Sequence, residues 1–176
     1  MNKSFVLLYL IIIIFFSINL TAGEPCEFLP LIEKYTKTYP FYVNGKKYYI
    51  NKALVLGIIM QESRFNPDAK SPVGAYGLTQ IMPNTAKLLK CDYNKLNNPE
   101  ISIQCSVKFL AALLTYNKGD LIKSISGYNG GTHSTETKAT TQQGLLAGRI
   151  YDHPETKNYV IAVLNYFEQF KKLSCK

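Results

Sequence analysis

The sequence lacks the residue patterns from which zinc sites are usually built. Its four cysteines include no Cys-x-x-Cys pair, and its two histidines, His133 and His153, are far apart in the chain. Zinc sites combine closely spaced cysteine, histidine and carboxylate ligands. The sequence therefore indicates no zinc centre, and neither a metal nor another cofactor is predicted.

Acidic residues are also scarce. The chain has 12 Asp and Glu against 20 Lys and Arg, which gives a formal net charge of +8. A basic protein attracts anionic polymers or lipids. The lysines are scattered and no nucleic-acid-binding motif is present, so nucleic acid is not predicted as a partner and anionic cell-wall polymer ranks first. Internal repeats are absent too, and 176 residues fit one domain, which we expect to be monomeric.

The longest apolar run lies at the N-terminus. Lys3 is followed by apolar residues 5–16 and then by a short stretch that ends in small residues at Gly23. A basic start, an apolar middle and small residues at the end are typical of a secretory signal peptide. We therefore expect residues 1–23 to be a signal peptide and residues 24–176 to act in the periplasm or cell envelope. An uncleaved membrane anchor is the alternative.

An even number of cysteines in an exported chain suggests disulfides. Cys26, Cys91, Cys105 and Cys175 allow three pairings. We favour Cys91 with Cys105, which are close in sequence, and Cys26 with Cys175, which would tie the two ends of the domain together.

Glu62 ends an apolar segment of helical length. Partial burial and a helix C-terminus both disfavour a charged carboxylate and should raise its pKa. Pro67 stops the helix soon afterwards, which places Glu62 beside a loop, where a protonated carboxyl suits a general acid. A solvent-exposed Glu at a helix end is the alternative that the local pattern leaves open. The apolar residues that share its helical face are Leu54, Val55, Ile58 and Ile59.

A run rich in glycine and proline follows, from Ser71 to Pro83, in which glycines permit tight turns and close approach to a ligand. Together with residues 62–67 and 84–86, this run resembles the soluble lytic transglycosylase (SLT) domain. The resemblance covers roughly residues 50–170, and the small chain is similar to the stand-alone type associated with secretion or conjugation machinery. Three later motifs agree in order: Asn-Pro-Glu at 98–100, Gly-Tyr-Asn-Gly-Gly at 127–131 and Glu-Thr-Lys-Asn-Tyr-Val at 155–160.

The resemblance implies a mainly α, lysozyme-like domain and a peptidoglycan lytic transglycosylase with one catalytic residue, Glu62. In that family mechanism Glu62 protonates the oxygen that links N-acetylmuramic acid (MurNAc) to N-acetylglucosamine (GlcNAc). It then acts as a base on the muramoyl C6 hydroxyl, so that a 1,6-anhydroMurNAc end forms without water. The implied partners are peptidoglycan glycan strands and components of an envelope-spanning secretion or conjugation machine that needs local wall opening.

The resemblance also assigns roles by motif position. Tyr128 is expected to hydrogen-bond and orient Glu62. Glu155 and Tyr159, in the last motif, are expected to close the site. The residues expected to line the sugar subsites are Ser71, Gln80, Met82 and Asn129.

Two alternatives to this function remain. Glycoside cleavage usually needs two carboxylates, and the sequence offers no convincing second one among Asp68, Asp152 and Glu155. A hydrolytic muramidase, which needs a positioned water and usually that second carboxylate, is the alternative enzyme. A non-catalytic wall-binding assembly module is the alternative outside enzymes.

Elsewhere the patterns predict one β-hairpin and several helices. The hairpin covers residues 41–50 with Asn44-Gly45 as its turn, and its aromatic residues are expected to pack on the core rather than line the cleft. Residues 132–148 are read as a mobile polar segment with a short helix near Leu145. Helices are predicted over 26–38, from 51 to about 64, over 84–90, from 98 to about 116, over 120–127 and from 154 onwards.

Overall fold

Helices and one β-hairpin make up the part of the chain that the structure, a computed structural model, describes: residues 24–130 and 154–175. The predicted signal peptide and the predicted polar segment 132–148 lie outside these residues. No helix within them is both long and apolar enough to cross a bilayer. The elements are α1 (Pro25–Thr38), β1 (Phe41–Val43), β2 (Lys46–Tyr48), α2 (Lys52–Ser63), α3 (Pro83–Leu89), a 3₁₀ helix (Tyr93–Lys95), α4 (Pro99–Tyr116), α5 (Leu121–Gly130) and α6 (Pro154–Phe170).

The helix starts follow from local capping chemistry. The Asn51 side chain accepts a hydrogen bond from the backbone N–H of Ala53 at 2.9 Å, and Asn98 accepts one from Glu100 at 2.9 Å. Asp120 accepts one from the backbone N–H of Lys123 at 2.9 Å. These side chains satisfy backbone donors that a helix leaves unpaired at its N-terminus. All three caps were predicted from the sequence.

The predicted hairpin is confirmed. Asn44 and Gly45 both have positive φ angles, 51° and 76°, as a tight two-residue turn between twisted strands requires. The antiparallel register pairs Phe41 with Tyr48 and Tyr42 with Lys47. The expectation for its aromatic residues is only partly correct. Phe41 packs against the core, but three tyrosines are exposed: Tyr42, Tyr48 and Tyr49.

Helix α2 passes through the core, and residues 53–59 are all buried. Its apolar residues were predicted to share one face, whereas in the structure the helix is covered on every side. Its main neighbour is α6. Gly57 lets the two backbones approach closely, because a β-carbon there would lie 3.0 Å from the Val163 carbonyl oxygen and 3.2 Å from the Phe167 nitrogen.

Helix α5 is longer than predicted. It continues through Gly127 to Gly130, so Tyr128 and Asn129 lie in its last turn and not in a loop after it. A glycine inside a helix costs about 1 kcal/mol relative to alanine, a penalty that tertiary packing can outweigh. Here Gly127 and Tyr128 are both buried, and Tyr128 packs on Phe109 with ring centroids 5.1 Å apart.

The structure contains both favoured disulfides. The Cys91–Cys105 bond, with Cα atoms 6.0 Å apart, fastens the segment after α3 to α4. The Cys26–Cys175 bond, with Cα atoms 5.6 Å apart, spans 149 residues and joins the first turn of α1 to the chain beyond α6. Such a bond restricts the unfolded chain more than one that closes a short loop.

The close contact at Gly57 gives a test of the α2–α6 packing. Gly57→Ala should lower the free energy of unfolding by about 1–3 kcal/mol, the usual cost of overpacking, because backbone atoms of α6 cannot rotate away from the added methyl group. Helix propensity alone would change stability in the opposite direction, by up to about 1 kcal/mol. Urea denaturation measures the difference, with Asn165→Ala at an exposed position of α6 as the control. A Gly57→Ala protein as stable as the parent would show that the helices are not in close contact.

Candidate active site

Glu62 lies in the last turn of α2, where the chain leaves the core. Arg64 and Phe65 both adopt left-handed backbone conformations, with φ angles of 52° and 63°, and end the helix. The Ser63 hydroxyl donates a hydrogen bond to the Leu78 carbonyl at 2.7 Å, which ties the helix end to the glycine-containing loop. The carboxyl group is thus held between a buried helix and this loop.

The Glu62 side chain lines a cleft of about 270 Å³. The cleft brings together seven of the eight site residues predicted from the sequence: Glu62, Ser71, Gln80, Met82, Tyr128, Asn129 and Glu155. The eighth, Tyr159, is buried next to Glu62. Further residues of the cleft wall were not predicted: Val73, Ala75, Ile81, Thr85, Phe109, Gly130 and Thr156.

Most of the missed residues neighbour a predicted one in the same motif. Val73, Ala75 and Ile81 belong to the glycine-rich run, and Thr156 follows Glu155, so the motif itself was the available signal. Phe109 is different, because it sits in the apolar stripe of α4 and its sequence neighbours mark it only as a core residue.

The Tyr159 hydroxyl donates a hydrogen bond of 2.6 Å to a carboxyl oxygen of Glu62. Burial raises the pKa of Glu62 from 4.5 to about 7, and this hydrogen bond opposes the rise because it favours the charged form. Burial and the nearby Glu62 charge also raise the pKa of Tyr159 well above its usual value, so the phenol keeps its proton. Tyr159 is therefore a fixed donor to a carboxyl group that can exchange its proton near neutral pH.

The predicted role of Tyr128 is wrong in this structure. Its hydroxyl donates to the Thr79 carbonyl at 3.1 Å and lies 2.8 Å from the Ser106 hydroxyl, and the orienting bond to Glu62 comes from Tyr159. Because α5 continues past Gly127, Tyr128 lies on the helix, and its hydroxyl points into buried polar groups between α4 and the loop. Burial, together with the charge of Glu62, raises the pKa of Tyr128. Tyr128 thus forms part of the cleft wall.

The loop between α2 and α3 is held by its own polar side chains. The Gln80 side-chain amide donates to the carbonyls of Ala69 and Gly77, both at 2.9 Å. The Ser71 hydroxyl accepts from the backbone N–H of Ala75 at 2.9 Å. Gly77 has a φ of 79°, and a β-carbon there would overlap the Leu96 carbonyl, so only glycine fits. Ser71 and Gln80 therefore shape the cleft as well as line it.

Two carboxyl side chains line the cleft among the described residues, Glu62 and Glu155. Glu155 is exposed in the first turn of α6, whereas Glu62 is enclosed and hydrogen-bonded. Within the same residues no group of histidine, cysteine or acidic side chains is arranged to hold a metal ion. The geometry therefore provides one carboxyl group with a near-neutral pKa, set in a cleft lined by polar and apolar side chains.

A comparison with protein-family models matches residues 40–147 to the transglycosylase SLT domain. The chain belongs to this family. The SLT match includes Glu62 and the glycine-containing loop, as the sequence motifs predicted, and the mainly α, lysozyme-like fold expected from them is confirmed.

Curated SLT-family relatives are similar over most of the chain. The soluble lytic murein transglycosylase of Salmonella typhimurium is 34% identical over 148 residues, which cover 75% of this chain and 22% of that protein. The transglycosylase of Enterobacteria phage PRD1 is 36% identical over 99 residues, or 54% of this chain and 35% of the phage protein. The chain thus spans about a fifth of the length of the first relative and a third of the second.

Among solved structures, the chain is similar to the 70-kDa soluble lytic transglycosylase of Escherichia coli. The TM-score is 0.61 and the identity 30%, over 81% of this chain and 24% of the other. The SLT fold of this chain therefore corresponds to one part of a much larger protein.

The raised pKa of Glu62 makes a prediction about stability. A glutamate in the unfolded chain ionises near pH 4.5, whereas folded Glu62 keeps its proton up to about pH 7. Between these values the folded state binds more protons, so rising pH lowers the free energy of unfolding. Glu62→Gln removes this penalty and should raise that free energy on the order of 1–3 kcal/mol at pH 8, with little change at pH 4.

Urea denaturation at the two pH values measures this difference. Glu155→Gln is the matched control, because it makes the same chemical change at an exposed cleft position. An equal effect of Glu62→Gln at pH 4 and pH 8 would show that folding does not keep this carboxyl group neutral.

The two tyrosines give a second, separable test. Tyr159→Phe removes a hydrogen bond that favours the charged carboxylate, so the pKa of Glu62 should rise further. Tyr128→Phe removes bonds to Thr79 and Ser106 only and should shift this pKa less. NMR titration of protein labelled at the glutamate side-chain carboxyl carbon measures both values. A larger shift in Tyr128→Phe would restore the role predicted for Tyr128 from its motif.

Proposed function

We propose that this chain is a peptidoglycan lytic transglycosylase, which cleaves the bond between MurNAc and GlcNAc and leaves 1,6-anhydroMurNAc ends. The observation that carries the proposal is the state of Glu62: a single enclosed carboxyl group with a pKa of about 7, held by Tyr159 in a cleft. A general acid–base works best when its pKa lies near the working pH. The names of the SLT-family relatives support the same reaction class.

The first step uses the protonated form of Glu62. The carboxyl group donates its proton to the oxygen between MurNAc and GlcNAc, and the bond from C1 of MurNAc to that oxygen breaks. Positive charge then develops at C1, and the substrate's own acetamido group or an oxocarbenium-like state carries it. Glu62 is left as a carboxylate, which the Tyr159 hydroxyl stabilises through its 2.6 Å hydrogen bond.

The second step uses the carboxylate that the first step produced. Glu62 removes the proton from the C6 hydroxyl of the same MurNAc, and the C6 oxygen bonds to C1. This closes the 1,6-anhydro ring and returns Glu62 to its protonated form, so that no water is consumed. One residue can serve in both steps because each step restores the protonation state that the other requires.

Substrate binding is assigned to the side chains of the cleft. Gln80 and Ser71 shape its loop side, Met82 and Asn129 present further groups to it, and Glu155 stands at the start of α6. Clefts that bind ligands commonly combine apolar walls with a few placed polar groups. We infer that these residues form the sugar subsites, with the peptidoglycan glycan strand as the partner.

Export completes the proposal. We infer that residues 1–23 direct the chain to the periplasm or cell envelope, where residues 24–176 act. The two disulfides support this because such bonds persist in oxidising compartments. We also infer local wall opening for an envelope-spanning secretion or conjugation machine. The resemblance of its sequence motifs to transglycosylases that accompany such machinery supports this inference.

A hydrolytic muramidase is the second candidate, and the presence of Glu155 in the cleft is the observation that favours it. Such an enzyme usually uses a second carboxylate to activate water. Glu155 is exposed and is not hydrogen-bonded to Glu62, whose described partner is Tyr159. The products distinguish the two reactions.

Mass analysis of muropeptides from digested wall tests the proposed reaction. The wild-type protein should release anhydromuramoyl ends, each lighter by one water than a hydrolysis product. Glu62→Gln should reduce turnover by about 10²–10⁴-fold or more, because the amide cannot exchange a proton. Glu155→Gln should still yield anhydro ends. Reducing ends from the wild type would contradict transglycosylation, and wild-type lysis by Glu62→Gln would remove Glu62 from the reaction.

A further inference from the structure

The hairpin presents an exposed aromatic and cationic strip away from the core. We call Tyr42, Lys47 and Tyr49 the hairpin face. Tyr42 and Tyr49 are 48% and 56% exposed, and Lys47 is exposed between them. The strand register pairs Tyr42 with Lys47, and the Lys47 Nζ atom lies 5.3 Å from the centre of the Tyr49 ring. The three side chains therefore form one continuous surface.

This exposure comes from the way the hairpin is held. Phe41 stacks on Tyr48 with ring centroids 5.5 Å apart and packs against the core. The Tyr42 backbone N–H donates to the Thr115 hydroxyl at 3.1 Å at the end of α4. Side chains alternate along a strand, so fixing Phe41 inward turns Tyr42 outward. The hairpin face is thus a fixed surface.

The surroundings of the hairpin face are positively charged. Residues 41–50 contain two lysines and no acidic residue. Tyr49 also lines a shallow groove of about 550 Å³ with Lys37, Lys52 and Glu33. Glu33 is neutralised by its ion pair with Lys52. Among the described residues, no carboxylate pairs with Lys37, Lys46 or Lys47. The surface therefore has cationic groups to offer to an anionic ligand.

The hairpin face is separate from the cleft. None of its residues lines the cleft. The hairpin leads into the N-terminus of α2 at Lys52. Glu62 lies ten residues later, in the last turn of the same helix, so the rise of the helix places Glu62 roughly 15 Å from Lys52. A ligand on the hairpin face would therefore meet different residues from one bound at Glu62.

We propose that the hairpin face and its groove form a second peptidoglycan-binding surface, which rests on the proposed function. Sugar rings would lie on Tyr42 and Tyr49, and the carboxylates of the peptide stems would pair with Lys47 and Lys37. Peptidoglycan offers both groups on one polymer, which matches the mixture of aromatic and cationic side chains. The core of a protein interface, by contrast, is depleted in lysine and other charged residues. Two-site binding would hold the enzyme on the wall between cleavage events.

Binding to purified peptidoglycan sacculi tests this surface without turnover. The parent is Glu62→Gln, and the hairpin variant adds Tyr42→Ala, Lys47→Gln and Tyr49→Ala, all at exposed positions. The matched control adds Ile161→Ala and Lys171→Gln, one exposed apolar side chain and one lysine on or just after α6. The hairpin variant should bind sacculi about tenfold more weakly than the parent, since exposed aromatic and cationic contacts are individually modest. The control variant should bind like the parent.

Two further measurements separate this surface from the cleft. With Glu62 intact, the hairpin variant should cleave short soluble glycan fragments without peptide stems at the wild-type rate, and melting curves should show an unchanged fold. The difference between parent and hairpin variant should shrink at high salt, which screens exposed charges. Equal sacculus binding by the two proteins overturns the proposal and leaves the hairpin face for a protein partner. Loss of fragment cleavage in the hairpin variant also overturns it, because the surface would then belong to the cleft. Absence of anhydro products from the wild type refutes the proposed function alone, since sacculus binding is measured with Glu62→Gln.

Discussion

The close packing of α2 on α6 is the constraint on which the site depends. Gly57 allows the two backbones to meet, and the same pair of helices then brings Glu62 of α2 within 2.6 Å of the Tyr159 hydroxyl of α6. Residues 53–59 are buried, so the end of α2 has little freedom to move. A carboxyl group fixed in this way can be hydrogen-bonded by a residue 97 positions away in the chain.

Two opposing effects then set the chemistry of Glu62. Burial favours the neutral carboxyl and the Tyr159 hydrogen bond favours the charged one, and the balance places the pKa at about 7. Each pKa unit corresponds to about 1.4 kcal/mol. Above about pH 7, where Glu62 carries its charge in the folded protein, the raised pKa therefore lowers the stability by on the order of 3 kcal/mol relative to a glutamate with an ordinary pKa. The buried core of α2 and the two disulfides make that loss tolerable in a small domain.

Local features of the fold could be predicted from the sequence, and contacts between distant residues could not. Caps at Asn51, Asn98 and Asp120 and the turn at Asn44-Gly45 depend on a few neighbouring residues, so the sequence indicates them directly. The end of α5 was predicted too early, at Gly127. The low helix propensity of glycine can be recognised from the sequence, whereas the tertiary packing that outweighs it involves distant residues. The exposure of the hairpin tyrosines was missed for the same reason.

The site shows the same division. Seven residues predicted from the family motifs line one cleft, because residues within such motifs contribute to the same surface. The motifs could not show which tyrosine donates a hydrogen bond to Glu62. Tyr128 and Tyr159 are both buried beside that carboxyl group, and only the geometry of their helices determines where the hydroxyls point. Tyr128 is committed to Ser106 and Thr79, which leaves the donor role to Tyr159. The proposed reaction would therefore depend on α6 remaining in place, although the carboxyl group proposed to carry it out lies on α2.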